Sequence, residues 1–139
     1  QEALDALLKP FEGKKIDKVV GVEARGFFFA PLMAQALGAG FVPIRKPGKL
    51  PFDTISESYD LEYGTNTVEI HTDAIKPGEI VLIHDDVLAT GGTAAAACNL
   101  IERLGGKVIA FSFIMELEFL NGKEKINKCP IHKLFSWAK

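Results

Sequence analysis

The sequence predicts an α/β fold, a central and mainly parallel sheet flanked by helices. Two observations lead to this class. Several short runs, such as residues 19–22, 41–44, 81–83 and 108–114, are apolar at nearly every position, the pattern of strands covered on both faces. Segments with apolar residues at helical spacing separate some of these runs, as in alternating strand and helix units. No internal repeat or linker composition interrupts the chain, so residues 1–139 are expected to form a single domain.

Leu4, Leu7, Leu8 and Phe11 share one helical face, and residues 19–22 follow as a buried strand. Ala30, Met33, Ala34 and Leu37 repeat the helical spacing, with Pro31 tolerable in the first turn and Gly38 as a stop. A short strand is expected at 41–44. Residues 45–56, RKPGKLPFDTIS, lose all periodicity and predict a long mobile loop. Strand character returns at 67–70, and Lys-Pro-Gly-Glu at 76–79 turns the chain into a strand at 80–83. Ala94, Ala97, Cys98, Ile101 and Leu104 predict an amphipathic helix closed by Gly105 and Gly106. A strand at 108–114, a helix at 116–126 and a last strand at 133–137 complete the expected order.

Composition narrows the function classes. The chain has 139 residues, 47% of them hydrophobic and 24% charged, enough for a packed core. A formal net charge of −2 argues against a nucleic-acid partner, which usually needs a basic face. The apolar runs are too short or too interrupted to span a bilayer, and residues 1–8 lack the pattern of a signal peptide. Cys98 and Cys129 lack the spacing of a metal or disulfide framework, so reduced thiols in a cytoplasmic protein are expected.

The chemistry concentrates in residues 81–94, VLIHDDVLATGGTA. Ligands of parallel sheets sit beyond the carboxyl ends of the strands. There Gly91 and Gly92 can adopt positive φ and let backbone N–H groups approach a ligand, while Thr90 and Thr93 add hydroxyls. Together with a helix start, this is a cradle for phosphate. Asp85 and Asp86 would repel that phosphate, so they must face sugar hydroxyls or a divalent cation. A ribose 5-phosphate meets both demands. Helix capping alone needs one acid near the helix start, not two upstream of a double glycine. No lysine follows the glycines, and Gly38 to Pro43 lacks the third glycine of a dinucleotide fingerprint. His84 cannot easily share a site with both aspartates, because neighbouring strand residues face opposite ways, so it is expected to be structural. Phe27, Phe28 and Phe29 are expected in the core or as the wall of a base pocket.

The stretch VLIHDDVLATGGT resembles the phosphoribosyl diphosphate (PRPP) motif of the type I phosphoribosyltransferases. GVEARGFFFAPLMAQALG at 21–38, VPIRKPGKLP at 42–51 and SYDLEYGTNTVEIHTDAIKPG at 58–78 resemble the adenine-using members of that family. The resemblance implies the type I fold with a flexible active-site loop, and Mg²⁺-dependent transfer of phosphoribosyl from PRPP to adenine, giving AMP and diphosphate. It implies that Ala89, Thr90, Gly91, Gly92 and Thr93 hold the 5′-phosphate. Asp85 and Asp86 would contact ribose hydroxyls, the metal or developing charge, with Mg²⁺ held chiefly by PRPP. Glu23, Ala24, Arg25 and Gly26 match the diphosphate loop, with a cis peptide expected between Glu23 and Ala24, and Arg45, Lys46 and Lys49 would reach diphosphate oxygens. Residues 59–63, YDLEY, match the loop that covers the site. Glu62 would sit near the purine and assist proton balance, making it catalytic with Asp85, Asp86 and Arg25. Arg25, Phe27, Glu62 and Tyr63 are the expected base contacts. Family members carry a base-binding hood before the segment matching Gln1, so a shortened or missing hood is expected here. A homodimer is implied as well. The alternatives are a non-catalytic PRPP sensor and a transferase for another purine base.

Overall fold

The computed structural model describes residues 2–51, 53–61 and 64–138. Five parallel strands form the central sheet in the order β2-β1-β5-β6-β7: β1 (Lys18–Val22), β2 (Gly40–Ile44), β5 (Ile80–Leu88), β6 (Lys107–Leu117) and β7 (Ile131–Trp137). A separate antiparallel hairpin joins β3 (Thr54–Leu61) to β4 (Gly64–His71). The helices are α1 (Glu2–Leu8), α2 (Ala30–Leu37) and α3 (Gly92–Arg103).

Strand alternation divides the core between the two faces of the sheet. Val20, Val81, Ile83, Phe111 and Phe113 pack with α3 and with Val68 and Ile70 of the hairpin. Val19, Leu82 and Ala110 turn the other way and pack with Leu7, Met33 and Ala34 of α1 and α2. Both faces are covered, which explains why these strands are apolar throughout. From β1 the chain crosses to β2 on one side, and from β5 to β6 on the other. The carboxyl ends of β1 and β5 therefore border the topological switch point, where open α/β sheets bind ligands.

Several elements differ from the sequence expectation. Pro10 lacks an N–H to continue the helix, so α1 ends at Leu8 and gives way to a 3-10 turn over Lys9–Phe11. Residues 54–56, expected in a mobile loop, begin β3, and residues 59–61 continue it. The strand character at 67–70 belongs to this hairpin and not to the central sheet. β5 runs through Asp85 and Asp86 to Leu88, so both acids lie within the strand. The helix expected at 116–126 does not form. β6 extends to Leu117, and 3-10 turns at Glu118–Leu120 and Gly122–Lys125 flank Asn121, whose φ is 53°. Asn-Gly is a strong turn signal, and here it overrides the helix formers around it.

Candidate active site

At the switch point lies a cleft of about 300 Å³, lined in part by Arg25, Arg45, Tyr59, Asp85, Asp86 and Thr93. A second pocket of about 70 Å³ sits beside it, walled by residues 87–94 with Asp85 and Phe113. Asp85 and Thr93 border both.

The small pocket lies where the anion cradle is expected. Gly91 has φ +87° and precedes α3, and no side chain caps the helix start. The first amides of α3 therefore lack a capping side chain and add to the positive end of the helix dipole. A Cβ on Gly91 would run into the carbonyl of Gly122, so the turn after β6 backs this loop. Gly92 differs from expectation: it does not use positive φ. Its missing Cβ would lie 2.7 Å from Cδ2 of Tyr59, so glycine is required there to admit an aromatic ring from the hairpin.

Asp85 and Asp86 both line the larger cleft, and Asp85 borders the small pocket as well. Asp86 N–H donates to Asp85 Oδ1 at 2.7 Å, and Arg25 Nη1 lies 3.6 Å from Asp86 Oδ2. Burial, with the neighbouring Asp86 charge adding to it, holds the Asp85 carboxyl well above the ordinary carboxylate range. The buried backbone of Gly26 packs against Asp85, and a Cβ there would lie 3.1 Å from the His84 carbonyl oxygen. The peptide between Glu23 and Ala24 is cis, as the resemblance implies.

Glu23 takes a different position from a diphosphate ligand. Its carboxylate accepts from Arg45 Nε and Nη2 at 3.2 and 3.3 Å and from the Lys46 N–H at 3.1 Å. Lys49 Nζ lies 4.0 Å away. The Arg45 hydrogen bond is the main cause holding its pKa below the usual value. A carboxylate cannot accept a bond from a phosphate oxyanion, so what Glu23 does here is orient Arg45 and the turn that follows. One edge of the Arg45 guanidinium, Nε and Nη2, faces Glu23, leaving the N–H groups of Nη1 for a ligand.

The remaining expected residues are distributed as follows. Ala24 and Lys46 line the cleft, whereas Lys49 does not. Phe27 is turned away from the cleft lining: its ring meets Phe41 edge-on at 5.7 Å, with the Arg45 guanidinium 6.0 Å from its centroid. Phe28 is exposed and Phe29 packs edge-on to His84. Ala89 and Thr90 are in the wall of the small pocket. Glu62 and Tyr63 lie outside the described residues. His84 is fully buried with Nδ1 3.1 Å from Ser112 Oγ, and burial pushes its pKa down to about 4, so it is neutral at physiological pH. Cys98 and Cys129 are unpaired, and burial raises the Cys98 thiol to about 11.

Tyr59 is the residue that sequence reasoning placed in the covering loop without a role. It accepts a hydrogen bond from Thr93 Oγ1 at 2.8 Å and so joins the hairpin to the anion cradle. The alternation of residues 54–61 was the available signal, since it sets Tyr59 on the inward face with Ile55.

The arrangement defines a phosphoribosyl site, with an anion cradle at a helix start, adjacent carboxylates, and guanidinium groups beyond them. Residues 4–132 match the phosphoribosyl transferase domain, and the chain belongs to that family. It is similar to adenine phosphoribosyltransferase of Flavobacterium johnsoniae, with 63% identity over 94% of this chain and 77% of the relative. The crystal structure of adenine phosphoribosyltransferase from Rhodothermus marinus superposes with a TM-score of 0.94 at 52% identity, covering 98% of this chain and 78% of that one. The Saccharomyces cerevisiae adenine phosphoribosyltransferase, solved with an imino-altritol bisphosphate and adenine, gives 0.90 at 46% identity over 96% of this chain and 78% of that one.

Proposed function

We infer that this chain transfers the phosphoribosyl group of PRPP to adenine, forming AMP and diphosphate. The observation that supports this reading is the position of Asp85 on the border of two adjoining voids, the smaller walled by residues 89–93 and the larger lined by Asp86, Arg25 and Arg45. The cradle takes the 5′-phosphate through backbone N–H groups and the Thr90 and Thr93 hydroxyls. Arg25, Arg45 and Lys46 take the diphosphate, with Glu23 and Gly26 shaping the loop and Lys49 near its rim. The bond from adenine N9 to C1′ forms as the bond from C1′ to the diphosphate oxygen breaks, and the ring proton leaves toward Glu62 or solvent. Positive charge grows on the sugar during this exchange, and fixed carboxylates beside it lower the barrier. Glu62, Tyr63 and Arg25 are the base contacts of this reading, and the hairpin excludes water that would hydrolyse the activated sugar.

The donor set suits Mg²⁺, a hard cation that accepts carboxylate and phosphate oxygens. Asp85 and Asp86 would steady such an ion carried by PRPP. When bound, it neutralises charge on the leaving diphosphate. A cytoplasmic enzyme is the natural setting for such phosphorylated substrates, and among the described residues no helix is long and apolar enough to cross a membrane. The chain works as one domain in this reading. Exposed Phe28, Leu32 and Phe41 beside the β2 edge support a homodimer.

The test incubates the chain with PRPP, Mg²⁺ and adenine and follows AMP and diphosphate by chromatography. AMP that requires all three components supports the reading. PRPP binding without AMP from any purine base overturns it in favour of a sensor.

A further inference from the structure

We propose that Tyr59 is a substrate-binding residue, its phenol hydroxyl donating a hydrogen bond to an oxygen of the sugar 5-phosphate held at the start of α3. The inference rests on the phosphoribosyl reading of the cleft and adds a ligand group from the hairpin. Thr93 Oγ1 donates to the Tyr59 oxygen at 2.8 Å. The phenol's own proton then has no acceptor among the described residues, although Tyr59 is half-buried and lines the 300 Å³ cleft. A half-buried donor facing the cleft can give its proton to solvent or, in its place, to a ligand oxygen. Thr93 borders both the cleft and the 70 Å³ pocket, and the Tyr59 hydroxyl bonded to it reaches that border from the side of the cleft.

The position is built for this ring. Gly92 carries no Cβ where one would lie 2.7 Å from Tyr59 Cδ2. The hairpin that supplies Tyr59 is fastened along α3 by Arg103, which donates to Ser56 O at 2.6 Å and Glu57 Oε1 at 3.2 Å, and by Asn99, which donates to Glu57 Oε2 at 3.3 Å. These bonds fix the strand one helical turn after another, so the phenol reaches the helix start with little freedom left to lose on binding.

The experiment is Tyr59→Phe, which keeps the ring against Gly92 and removes only the hydroxyl. Calorimetry reads the Kd for PRPP with Mg²⁺, steady-state assays read the KM for adenine, and a thermal melt reads stability. Thr93 would be freed to donate to phosphate in this variant, so the same change is also made in a Thr93→Val background. The expected result is a Kd for PRPP about ten-fold weaker in at least the second background, the scale of one bond to a charged oxygen. The adenine KM is expected within two-fold and the melting temperature unchanged. A Kd altered by less than two-fold in both backgrounds overturns the proposal. So does a joint loss of PRPP affinity, adenine KM and melting temperature, which would mark the hydroxyl as packing. If the unaltered chain neither binds PRPP nor makes AMP, the phosphoribosyl reading itself fails. Activity in the unaltered chain with an indifferent Tyr59→Phe variant defeats only the role of Tyr59.

Discussion

Asp85→Asn is expected to make the empty protein more stable while removing its activity. The Asp86 N–H, 2.7 Å from Oδ1, is the short hydrogen bond that the Asp85 carboxyl makes. Arg25, the nearby cation, pairs with Asp86 instead at 3.6 Å and is largely exposed. Burial, with the Asp86 side chain adding to it, therefore raises the Asp85 pKa by more than the Asp86 N–H and Arg25 lower it. Asparagine keeps an oxygen for the Asp86 N–H and drops the charge. Each pKa unit between folded and unfolded states is worth about 1.4 kcal/mol. Solvent at the cleft mouth screens part of the effect, so a gain of about 2 kcal/mol is expected at pH 8, or roughly 8 °C in melting temperature for a chain of this size. The sign follows from a folded pKa raised above the unfolded one. The stability contributed by protonated Asp85 is fully present below about pH 4 and is lost as pH rises through the raised value. The advantage of the asparagine variant should therefore grow with pH and vanish near pH 4. Turnover should fall by about 10² to 10³ with the loss of transition-state charge. Melts of the ligand-free proteins at pH 4 and pH 8 measure this. Equal melting temperatures at pH 8, or the same advantage at both pH values, would refute the electrostatic reasoning.

Glu23→Gln should weaken binding of inorganic diphosphate about ten-fold, because Arg45 loses its charged bidentate partner; unchanged or tighter binding by calorimetry would show that Glu23 only neutralises charge. The same pair should lose its stabilisation as pH falls below the ordinary carboxylate range and through the lowered Glu23 pKa, so the acid limb of the wild-type melting curve should be steeper than that of the variant. Gly91→Ala combines φ +87° with a Cβ driven against the Gly122 carbonyl, and a loss of about 2 kcal/mol or more is expected, read in a melt together with the PRPP Kd. Phe28→Glu places a charge on a side chain that is 71% exposed in the single chain; sedimentation should show monomer where the parent is dimeric, with the melting temperature of the monomer unaffected.

The order of strands and helices was legible because burial on both faces leaves little besides apolar residues in β1, β5 and β6. The turn at 89–93 was legible as a strand-to-helix connection, with Gly91 at φ +87° just before α3. The hairpin was not. Thr54, Ser56 and Ser58 alternate with Ile55, Glu57 and Tyr59, but the stretch follows Pro47, Gly48 and Pro51, and the loop signal masked the alternation. β5 was cut short for the opposite reason: Asp85 and Asp86 break the apolar run, yet the ladder with β6 continues through Leu88 and Glu116. The backbone pairing is indifferent to the charge, and the side chains pay for it in desolvation. Gly122 had a visible turn signal after Asn121, but its contact with Gly91 joins residues far apart in sequence, and periodicity carries no information about that.

The same logic explains why overall charge said little about the ligand. A pI near 5.9 does not suggest a protein built for a doubly phosphorylated sugar. In the folded chain, however, Arg25 pairs with Asp86, and Arg45 and Lys49 pair with Glu23. The cations stand within 4.0 Å of a carboxylate in the empty protein, Arg45 and Lys49 sharing Glu23. This avoids a cluster of unpaired positive charge that would strain the empty fold. In the proposed reaction, phosphate would exchange partners at Arg25 and release Asp86 toward the sugar, whereas Arg45 would keep Glu23 and offer its free edge. An anion site assembled in this way is nearly neutral in composition. It becomes readable only when the strand ends of β1, β2 and β5 are brought together.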